Sequence, residues 1–199
     1  VDLKLSKKIA TLMGYKSKKK TLGVEKFMRH FYLQARASNN LLNIVFGNFI
    51  DKKPLNNFII KFQKLLFKGN YLKKENYLLV TDSSNFFNDP KNILFFFYKC
   101  LKDQLLPHSS ALRLIFNKIQ FINSTNFNCN LVKSYFLKIL IEDKNNNIFE
   151  IMHSVGVISK LIPQFSRIVC QAQFDQYHLF TVDQHTIKAL NTLKKIDYG

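Results

Sequence analysis

Apolar residues along most of this chain recur at spacings of three and four, the period of an α-helix with one buried face. The pattern predicts a short helix over about residues 3–13 that ends near Gly14, and a long helix that begins after Thr21. The apolar stripe of the long helix is Val24, Phe27, Met28, Phe31 and Ala35, continuing through Leu41, Leu42, Val45 and Phe46. Another helical stripe follows at residues 58–66.

The period changes over residues 70–82. The segment NYLKKENYLLVTD is short, rich in residues that favour strands and interrupted by Glu75-Asn76, which predicts a small β-hairpin. Helical spacing then resumes, with Asp89 as the predicted N-cap and Pro90 in the first helical position. The predicted helix continues with the strongly apolar sequence ILFFFYKCLKDQLL.

Three more helical patterns complete the chain up to Pro163. The first is ALRLIFNKIQFI, for which Ser109 or Ser110 is the predicted cap, and the second covers residues 131–142. The third covers residues 148–162, and Gly156 is expected to end one helix there and let the next begin at once. The predicted fold class is all-α, an array of helices with one small β-hairpin.

Composition narrows this picture. The chain has 199 residues, of which 47% are hydrophobic and 14% aromatic, enough for a substantial core. No run of about 18 apolar residues occurs, so no membrane span is predicted. The three cysteines lie far apart without a CxxC pair, which favours free, mostly buried thiols in a reducing compartment. Because the chain starts at Val1 without a secretory pattern and ends at Gly199 directly after a helical pattern, we expect an internal segment of a longer cytoplasmic protein.

The net charge of +17 suggests nucleic acid as a partner, but the residue types argue against it. Lysine supplies nearly all of the positive charge, and a chain rich in Lys, Asn, Phe and Ile is typical of an A/T-rich genome. Arginine forms the better fork for phosphates and base edges. The arginines are Arg29, Arg36, Arg113 and Arg167. Nucleic acid is therefore not the expected partner.

Candidate chemistry is concentrated in QAQFDQYHLFTVDQHTIKAL, residues 171–190, which contains His178 and His185. Thr181 and Gln184 have the spacing of a capping box, so a helix is predicted to begin there. Its apolar stripe is Ile187, Leu190, Leu193 and Ile196, and His185 lies at the edge of that stripe, half-buried. One histidine is not a metal site, because three or more ligands are needed. From these residues alone, a structural role for His185 is favoured over metal binding.

Four segments resemble one family, in the same order and with roughly the same spacing. RIVCQAQFDQYHLFTVDQHTIKAL (167–190) is similar to the segment that opens the HD hydrolase domain of the bifunctional uridylyltransferase/uridylyl-removing enzymes of the PII nitrogen-signalling system. VEKFMRHFYLQAR (24–36), FNDPKNILFFF (87–97) and HSVGVISKLIPQFSRIV (153–169) resemble further segments of that family. The resemblance thus covers nearly the whole chain. In the first segment four residues depart from the family pattern: Phe180 replaces Tyr, Gln184 replaces Glu, Cys170 replaces Gly and Ala172 replaces Met.

The resemblance implies a position within a larger enzyme. Residues 1–69 would be a helical region following a nucleotidyltransferase domain that is missing here, since the Gly-Ser motif and acidic pair of that domain do not occur. Residues 70–165 would be the hairpin and helical connector, and residues 166–199 the truncated start of an HD domain. The enzyme would use UTP to uridylylate a tyrosine of PII, and would remove UMP by metal-dependent hydrolysis. Glutamine would act through further domains that are also missing.

The resemblance also assigns roles near the end of the chain. His185 matches the first metal ligand of an HD site, whose remaining ligands would lie beyond Gly199. The implied metal is Mg²⁺, with Mn²⁺ as the alternative. The supporting or structural residues would be His178, Asp183, Thr181 and Gln184. Because both active sites would be incomplete, this segment alone is expected to be inactive.

Two alternatives remain open at this point. A CCA-adding tRNA nucleotidyltransferase combines similar helical segments with an HD domain in some members, and its substrate would suit the basic charge. However, Leu179-Phe180 stand where that family tends to have Pro-Glu, and residues 87–97 lack its arginines. The second alternative is a non-catalytic helical interaction module.

Overall fold

The structure is a computed structural model, and it describes residues 2–18, 21–50, 71–81, 83–144, 147–173 and 180–196. The predicted helical stripe at 58–66 and His178 lie outside the described residues. The chain divides into two compact units. The split unit consists of Val1–Asn39 and Ile162–Gly199, and the central unit consists of Asn40–Leu161.

The first two predicted helices are confirmed. Helix α1 spans Leu3–Leu12, and helix α2 spans Gly23–Ile50, with its residues up to Asn39 in the split unit. The Asp2 carboxylate caps α1 by accepting from the next free backbone N–H groups, as N-cap side chains do. Gly14 has a φ of 76°, in the left-handed region that glycine adopts without a steric penalty, and this ends the helical segment as predicted.

The start of α2 requires a glycine for a different reason. A Cβ atom at Gly23 would lie 2.3 Å from the backbone oxygen of Tyr15, too close for any side chain. The hydroxyl of Ser17 accepts from the Gly23 N–H at 2.9 Å, so the loop before α2 packs tightly against the first turn of the helix. The two helices share a small apolar core of Ala10, Val24, Met28 and Ala172, flanked by Tyr15, Phe27 and Tyr32.

Two further elements complete the described part of the split unit. A 3₁₀ turn spans Phe165–Arg167, and a helix near the end of the chain spans Val182–Lys195. This last helix confirms the predicted helix start after Thr181.

The central unit contains the predicted hairpin. Strand β1 (Tyr71–Lys74) pairs antiparallel with β2 (Tyr77–Val80), and Glu75 in the turn has a φ of 52°. A third strand, β3 (Leu106–Pro107), pairs parallel with β2 and was not predicted. It is only two residues long, too short to show a period-2 pattern in the sequence.

The described helices of the central unit follow the predicted order, except for one short helix before Asp89 that the sequence pattern did not predict. They are α3 (Ser83–Asn88), α4 (Lys91–Lys102), α5 (Ser109–Ile119), α6 (Asn130–Glu142), α7 (Asn147–Ser154) and α8 (Val157–Leu161), with a 3₁₀ turn at Ser124–Phe127. The break between α7 and α8 falls at Gly156, whose φ is 87°, as predicted. The predicted fold class is confirmed, because the described chain is mainly helical with one small sheet.

Helix α4 is the centre of the core. The side chains of Ile93, Leu94, Phe96, Phe97 and Cys100 are completely buried, and α4 packs mainly against α6. Because so many side chains of α4 are buried, its sequence is apolar around most of the helix.

The predicted helix caps are confirmed only in part. The carboxylate of Asp89 accepts from the Lys91 N–H at 2.9 Å, as a capping side chain would, but α4 begins at Lys91, and Pro90 is in the N-cap position rather than the first helical position. At α5 neither Ser109 nor Ser110 is the N-cap. His108 is, and its Nδ1 accepts from the Ser110 N–H at 3.1 Å. A neutral imidazole with an unprotonated Nδ1 accepts a hydrogen bond as a serine oxygen does, so a buried histidine can replace the commoner cap.

Within the described residues, no helix is both long enough and apolar enough to cross a membrane.

Candidate functional site

The candidate site lies at the start of the last helix of the split unit, Val182–Lys195, which we label α9. The predicted capping box is present: Oε1 of Gln184 accepts from the Thr181 N–H at 3.4 Å. The Val182 N–H donates to the carbonyl of Gln171 at 2.9 Å, which ties the first turn to the preceding segment. These contacts satisfy N–H groups that a helix start would otherwise leave unpaired. The first turn of α9 is therefore held at a defined position.

Asp183 points into the protein rather than into solvent, with only 1% of the residue exposed. Its Oδ2 lies 3.6 Å from the Nη1 of Arg36 on α2, and the Arg36 side chain is 21% exposed. A buried carboxylate is costly unless a cation compensates it, and Arg36 supplies that cation. A carboxylate in the first turn also lies at the positive end of the helix dipole. The Arg36–Asp183 ion pair thus links α9 to α2 within the split unit.

Cys170 lies in the same environment. Burial is the main factor that raises the pKa of the Cys170 thiol, and the negative charge of Asp183 raises it further, while Arg36 acts in the opposite direction. The thiol is therefore protonated and unreactive at neutral pH. The backbone of Cys170 has a φ of 54°, in the left-handed region that favours glycine. The family pattern described above has glycine at this position. Cys170 therefore places a side chain on a backbone conformation that suits glycine better.

A second arginine of α2 holds the loop that precedes the site. The Nε of Arg29 donates to the carbonyl of Val169 at 3.3 Å, and its Nη2 donates to the carbonyl of Ser166 at 3.4 Å. Arg29 and Arg36 are seven residues apart, about two helical turns, and thus lie on similar faces of α2. Both arginines make contacts inside the split unit.

His185 lies on the outside of the first turn and is exposed, not half-buried as the sequence pattern predicted. It lines an open depression of about 180 Å³ together with Gln173, Phe180, Val182 and Thr186. The ammonium of Lys188 lies 3.3 Å from the centre of the Phe180 ring, a cation–π contact at the same depression. The imidazole is therefore accessible to a ligand or an ion from solvent.

The apolar stripe of α9 differs from the prediction for the same reason. Ile187 is buried, but Leu193 and Ile196 are about half exposed. The buried face instead runs through Asp183 and Ile187, four residues apart. A sequence pattern that counts apolar residues assigns Asp183 to the outside, so it rotates the predicted face and places His185 too far inward.

The donor groups at this site fit one part of a metal site. An exposed imidazole is a suitable nitrogen ligand for a divalent ion, whereas the Asp183 carboxylate faces Arg36 and is not available to a metal in solvent. Throughout the part of the chain that the structure describes, no three His, Cys, Asp or Glu side chains lie close enough together to hold a metal. His185 thus fits the role of a single ligand.

Arg36 is the residue near the candidate site that the sequence patterns missed. From the sequence it is known only as one of the scarce arginines. Its partner lies 147 positions later in the chain, so no local spacing connects the two residues. The signal that could have identified Arg36 is the scarcity of arginine in this lysine-rich chain. Codon composition favours lysine at positions where any positive charge would do, so a position that has arginine is a candidate for a specific contact.

The chain is similar over nearly all of its length to named enzymes. It is 30% identical over 200 residues to the bifunctional uridylyltransferase/uridylyl-removing enzyme of Ruegeria pomeroyi, covering 98% of this chain and 22% of that protein. It is 30% identical to the enzyme of the same name from Azospirillum brasilense, covering 96% of the chain and 21% of the relative. The corresponding enzyme of Zymomonas mobilis is 28% identical over 202 residues, again with 21% of its length covered.

These relatives confirm the resemblance that the motifs indicated. The chain spans about a fifth of the length of the curated relatives that it matches. No family model matches the chain, and no solved structure matches it either.

Proposed function

We propose that this chain is part of a bifunctional enzyme that attaches a uridylyl group from UTP to a tyrosine of the signalling protein PII and removes UMP by hydrolysis. The observation that carries the proposal is similarity over nearly the entire chain to proteins named bifunctional uridylyltransferase/uridylyl-removing enzymes. The names of those relatives support both activities. PII as the substrate, UTP as the donor and glutamine as the effector belong to the proposal for the complete protein.

Within that enzyme we assign the described residues mainly to the helical connector and to the start of the hydrolase. Residues 1–69 would follow the transferase domain, residues 70–165 would form the connector, and residues 166–199 would begin the HD domain. Both active sites would need residues outside this segment, so the segment alone would be inactive. We place the enzyme in the cytoplasm, where UTP and PII would be found.

His185 is the residue that we propose for the hydrolytic site. It would act as one ligand of a divalent metal, Mg²⁺ or Mn²⁺, through a neutral imidazole nitrogen. A metal held at such a site supplies an activated water for hydrolysis. The structure supports this role through the exposure of His185 beside an open depression, and through the capped first turn that holds it. Thr181 and Gln184 would fix the helix start, and Asp183 would serve as a buried anchor.

The relatives also bear on the two alternatives from the sequence. The matched enzymes described above are named for uridylyl transfer and removal, which favours the proposed enzyme over a tRNA nucleotidyltransferase or a non-catalytic module. Arg29 and Arg36 make contacts within the protein, whereas Arg113 and Arg167 are exposed.

The test is the substitution His185→Gln in the complete protein. Gln keeps a polar side chain of similar size but removes the imidazole ligand. We expect hydrolysis of UMP from uridylylated PII to fall by at least about a hundredfold, while transfer from UTP to PII stays within about twofold, because only one of the two sites would lose a metal ligand. Both rates are measured with radiolabelled UTP and purified PII.

The matched control is His30→Gln, which changes another exposed histidine of the same unit. His30 contacts the hydroxyl of Tyr15 and has no proposed role in either reaction. Both rates should stay close to those of the unsubstituted protein. Normal UMP removal by the His185→Gln protein would contradict the role of His185. Absence of both activities from the unsubstituted protein, combined with tight and salt-dependent binding of tRNA, would instead favour the tRNA nucleotidyltransferase.

A further inference from the structure

We propose that Arg36 and Asp183 form a positioning pair that sets the direction of the His185 side chain. The inference rests on the proposed role of His185 and extends it to a residue of α2, far away in the sequence. Neither residue is proposed to touch the metal or the substrate. Their role would be to hold the first turn of α9 in the one orientation that presents the imidazole to the depression lined by Gln173 and Phe180.

The geometry of the helix links the two positions. Asp183 and His185 are two residues apart, which corresponds to a rotation of about 200° around the helix axis. When Asp183 faces the interior, His185 therefore faces nearly the opposite way, toward solvent. The observed burial agrees, because Asp183 is 1% exposed and His185 is exposed. A rotation of the first turn that released Asp183 would turn His185 away from the depression.

The chemical nature of the pair favours positioning over simple stabilisation. Burying two charges costs desolvation energy, and an apolar pair of similar volume often stabilises a fold as well or better. An ion pair differs in that it has one favoured geometry, since the carboxylate is satisfied only when it meets the guanidinium. An apolar residue at position 183 would allow small rotations of the turn without penalty. The pair thus fixes the orientation of α9, and it adds little to the stability of the fold.

One local contact stabilises the first turn, and two contacts tie it to other segments of the split unit. The Gln171 carbonyl accepts from the Val182 N–H, and Gln184 accepts from the Thr181 N–H. Arg36 then holds the side chain on the inner face. Arg29, in contrast, binds carbonyls of the 166–169 loop and has no contact with α9 among those described. Arg29 therefore provides a comparison from the same helix that supports the fold but not the orientation of His185.

The experiment measures Mn²⁺ binding to the complete protein by electron paramagnetic resonance. The His185→Gln protein first identifies the class of Mn²⁺ sites that depends on His185. Asp183→Asn and Arg36→Met are then expected to weaken that class about tenfold, the lower part of the range for residues that support metal ligands. Arg36→Lys keeps the charge but loses the fork, and should give an intermediate loss. Other classes of Mn²⁺ site should not change.

Arg29→Met is the matched comparison, and urea unfolding shows that each protein is folded under the binding conditions. We expect Arg29→Met to lower stability while leaving the His185-dependent affinity within about twofold. If Arg36→Met and Arg29→Met weaken that affinity equally, or if Asp183→Asn does not weaken it, the positioning role is wrong and the role of His185 stands. If His185→Gln removes no class of Mn²⁺ sites, the proposed function of His185 is wrong as well, and the pair has no ligand to position.

Discussion

The central unit has a core of large aromatic and branched side chains, whereas the split unit has a small apolar core supplemented by polar contacts. In the central unit Phe86, Phe96 and Phe97 are completely buried beside the aliphatic residues of α4. Ring pairs extend from there, including Phe86–Phe96 with centroids 5.9 Å apart and a T-shaped arrangement. Such rings contribute both a large buried area and a preferred geometry.

In the split unit the apolar cluster is made mainly of small or flexible residues, with Ala10, Val24, Met28 and Ala172 as its buried members. Polar contacts supplement this small core and fix the relative orientation of its segments. They are the Arg36–Asp183 ion pair, the contacts of Arg29 with two carbonyls, the Tyr15–His30 hydrogen bond and the Thr181–Gln184 capping box.

This difference between the two cores is consistent with the location of His185, the candidate metal ligand, in the split unit. Apolar burial stabilises a unit without fixing the direction of a particular surface side chain, because dispersion and hydrophobic forces depend weakly on orientation. Directional contacts fix orientation, and two of them, the Arg36–Asp183 ion pair and the Thr181–Gln184 capping box, involve the first turn of α9, which carries His185. The central unit is therefore expected to supply stability, and the split unit to supply the geometry of the proposed hydrolytic site.

The largest expected effect is the loss of an aromatic ring from the central core. Phe96→Ala should lower the free energy of unfolding by about 3–5 kcal/mol, because it removes a completely buried ring and leaves a cavity. The measurement is urea unfolding followed by circular dichroism at neutral pH. Phe121→Ala is the matched control, since Phe121 is 81% exposed. Its effect should stay within about 0.5 kcal/mol. A loss below about 1 kcal/mol for Phe96→Ala would contradict the assignment of the main core to α4.

Much of this central unit could be predicted from the sequence, because its elements follow local rules. The helical period, the hairpin around Glu75-Asn76, the Asp89 cap and the break at Gly156 each depend on residues within a few positions of one another. Strand β3 escaped prediction because two residues carry no period. The predicted cap of α5 was wrong because histidine is not among the residues that usually cap a helix, although His108 accepts from the Ser110 N–H here.

The candidate site could be predicted only in part. The capping box is a local pattern and was found from Thr181 and Gln184 alone. The orientation of α9 was not, because it depends on Arg36, which is distant in the sequence, and on the burial of a charged residue. Polar residues are usually exposed, so a pattern based on hydrophobicity places Asp183 outside. The error in the exposure of His185 follows directly from that assumption.

The second prediction uses the pH to examine the central core. Burial is the main factor that raises the pKa of Cys100, from an ordinary 9.0 to about 12. Below pH 9 the thiol is protonated in both the folded and unfolded states, so it adds no pH dependence. Above pH 9 the unfolded chain releases a proton that the folded chain retains, which favours unfolding. Stability should therefore fall as the pH rises from 9 toward 12, by at most about 1.4 kcal/mol per pH unit from this group.

The measurement is a series of urea unfolding curves between pH 8 and pH 10.5. Cys100→Ala should reduce the slope over this interval, whereas Cys129→Ala, which changes a less buried thiol, should have little influence on it. Burial also raises the pKa of Tyr71, which adds to the slope above pH 10 in both variants. An unchanged slope in Cys100→Ala would show that its thiolate is not excluded from the folded core.

The smallest expected effect concerns the polar contacts of the split unit. Thr181→Ala removes the N-cap side chain of α9 and should lower the free energy of unfolding by about 1 kcal/mol. Thr192→Ala is the matched control. Thr192 lies within α9, and its hydroxyl bonds to the carbonyl of Lys188 at 3.1 Å. Since alanine is the better helix former, this change should be neutral or slightly stabilising. Equal losses in the two variants, measured by urea unfolding, would mean that the cap does not hold the first turn, and that the ion pair and the Val182–Gln171 hydrogen bond would have to orient His185.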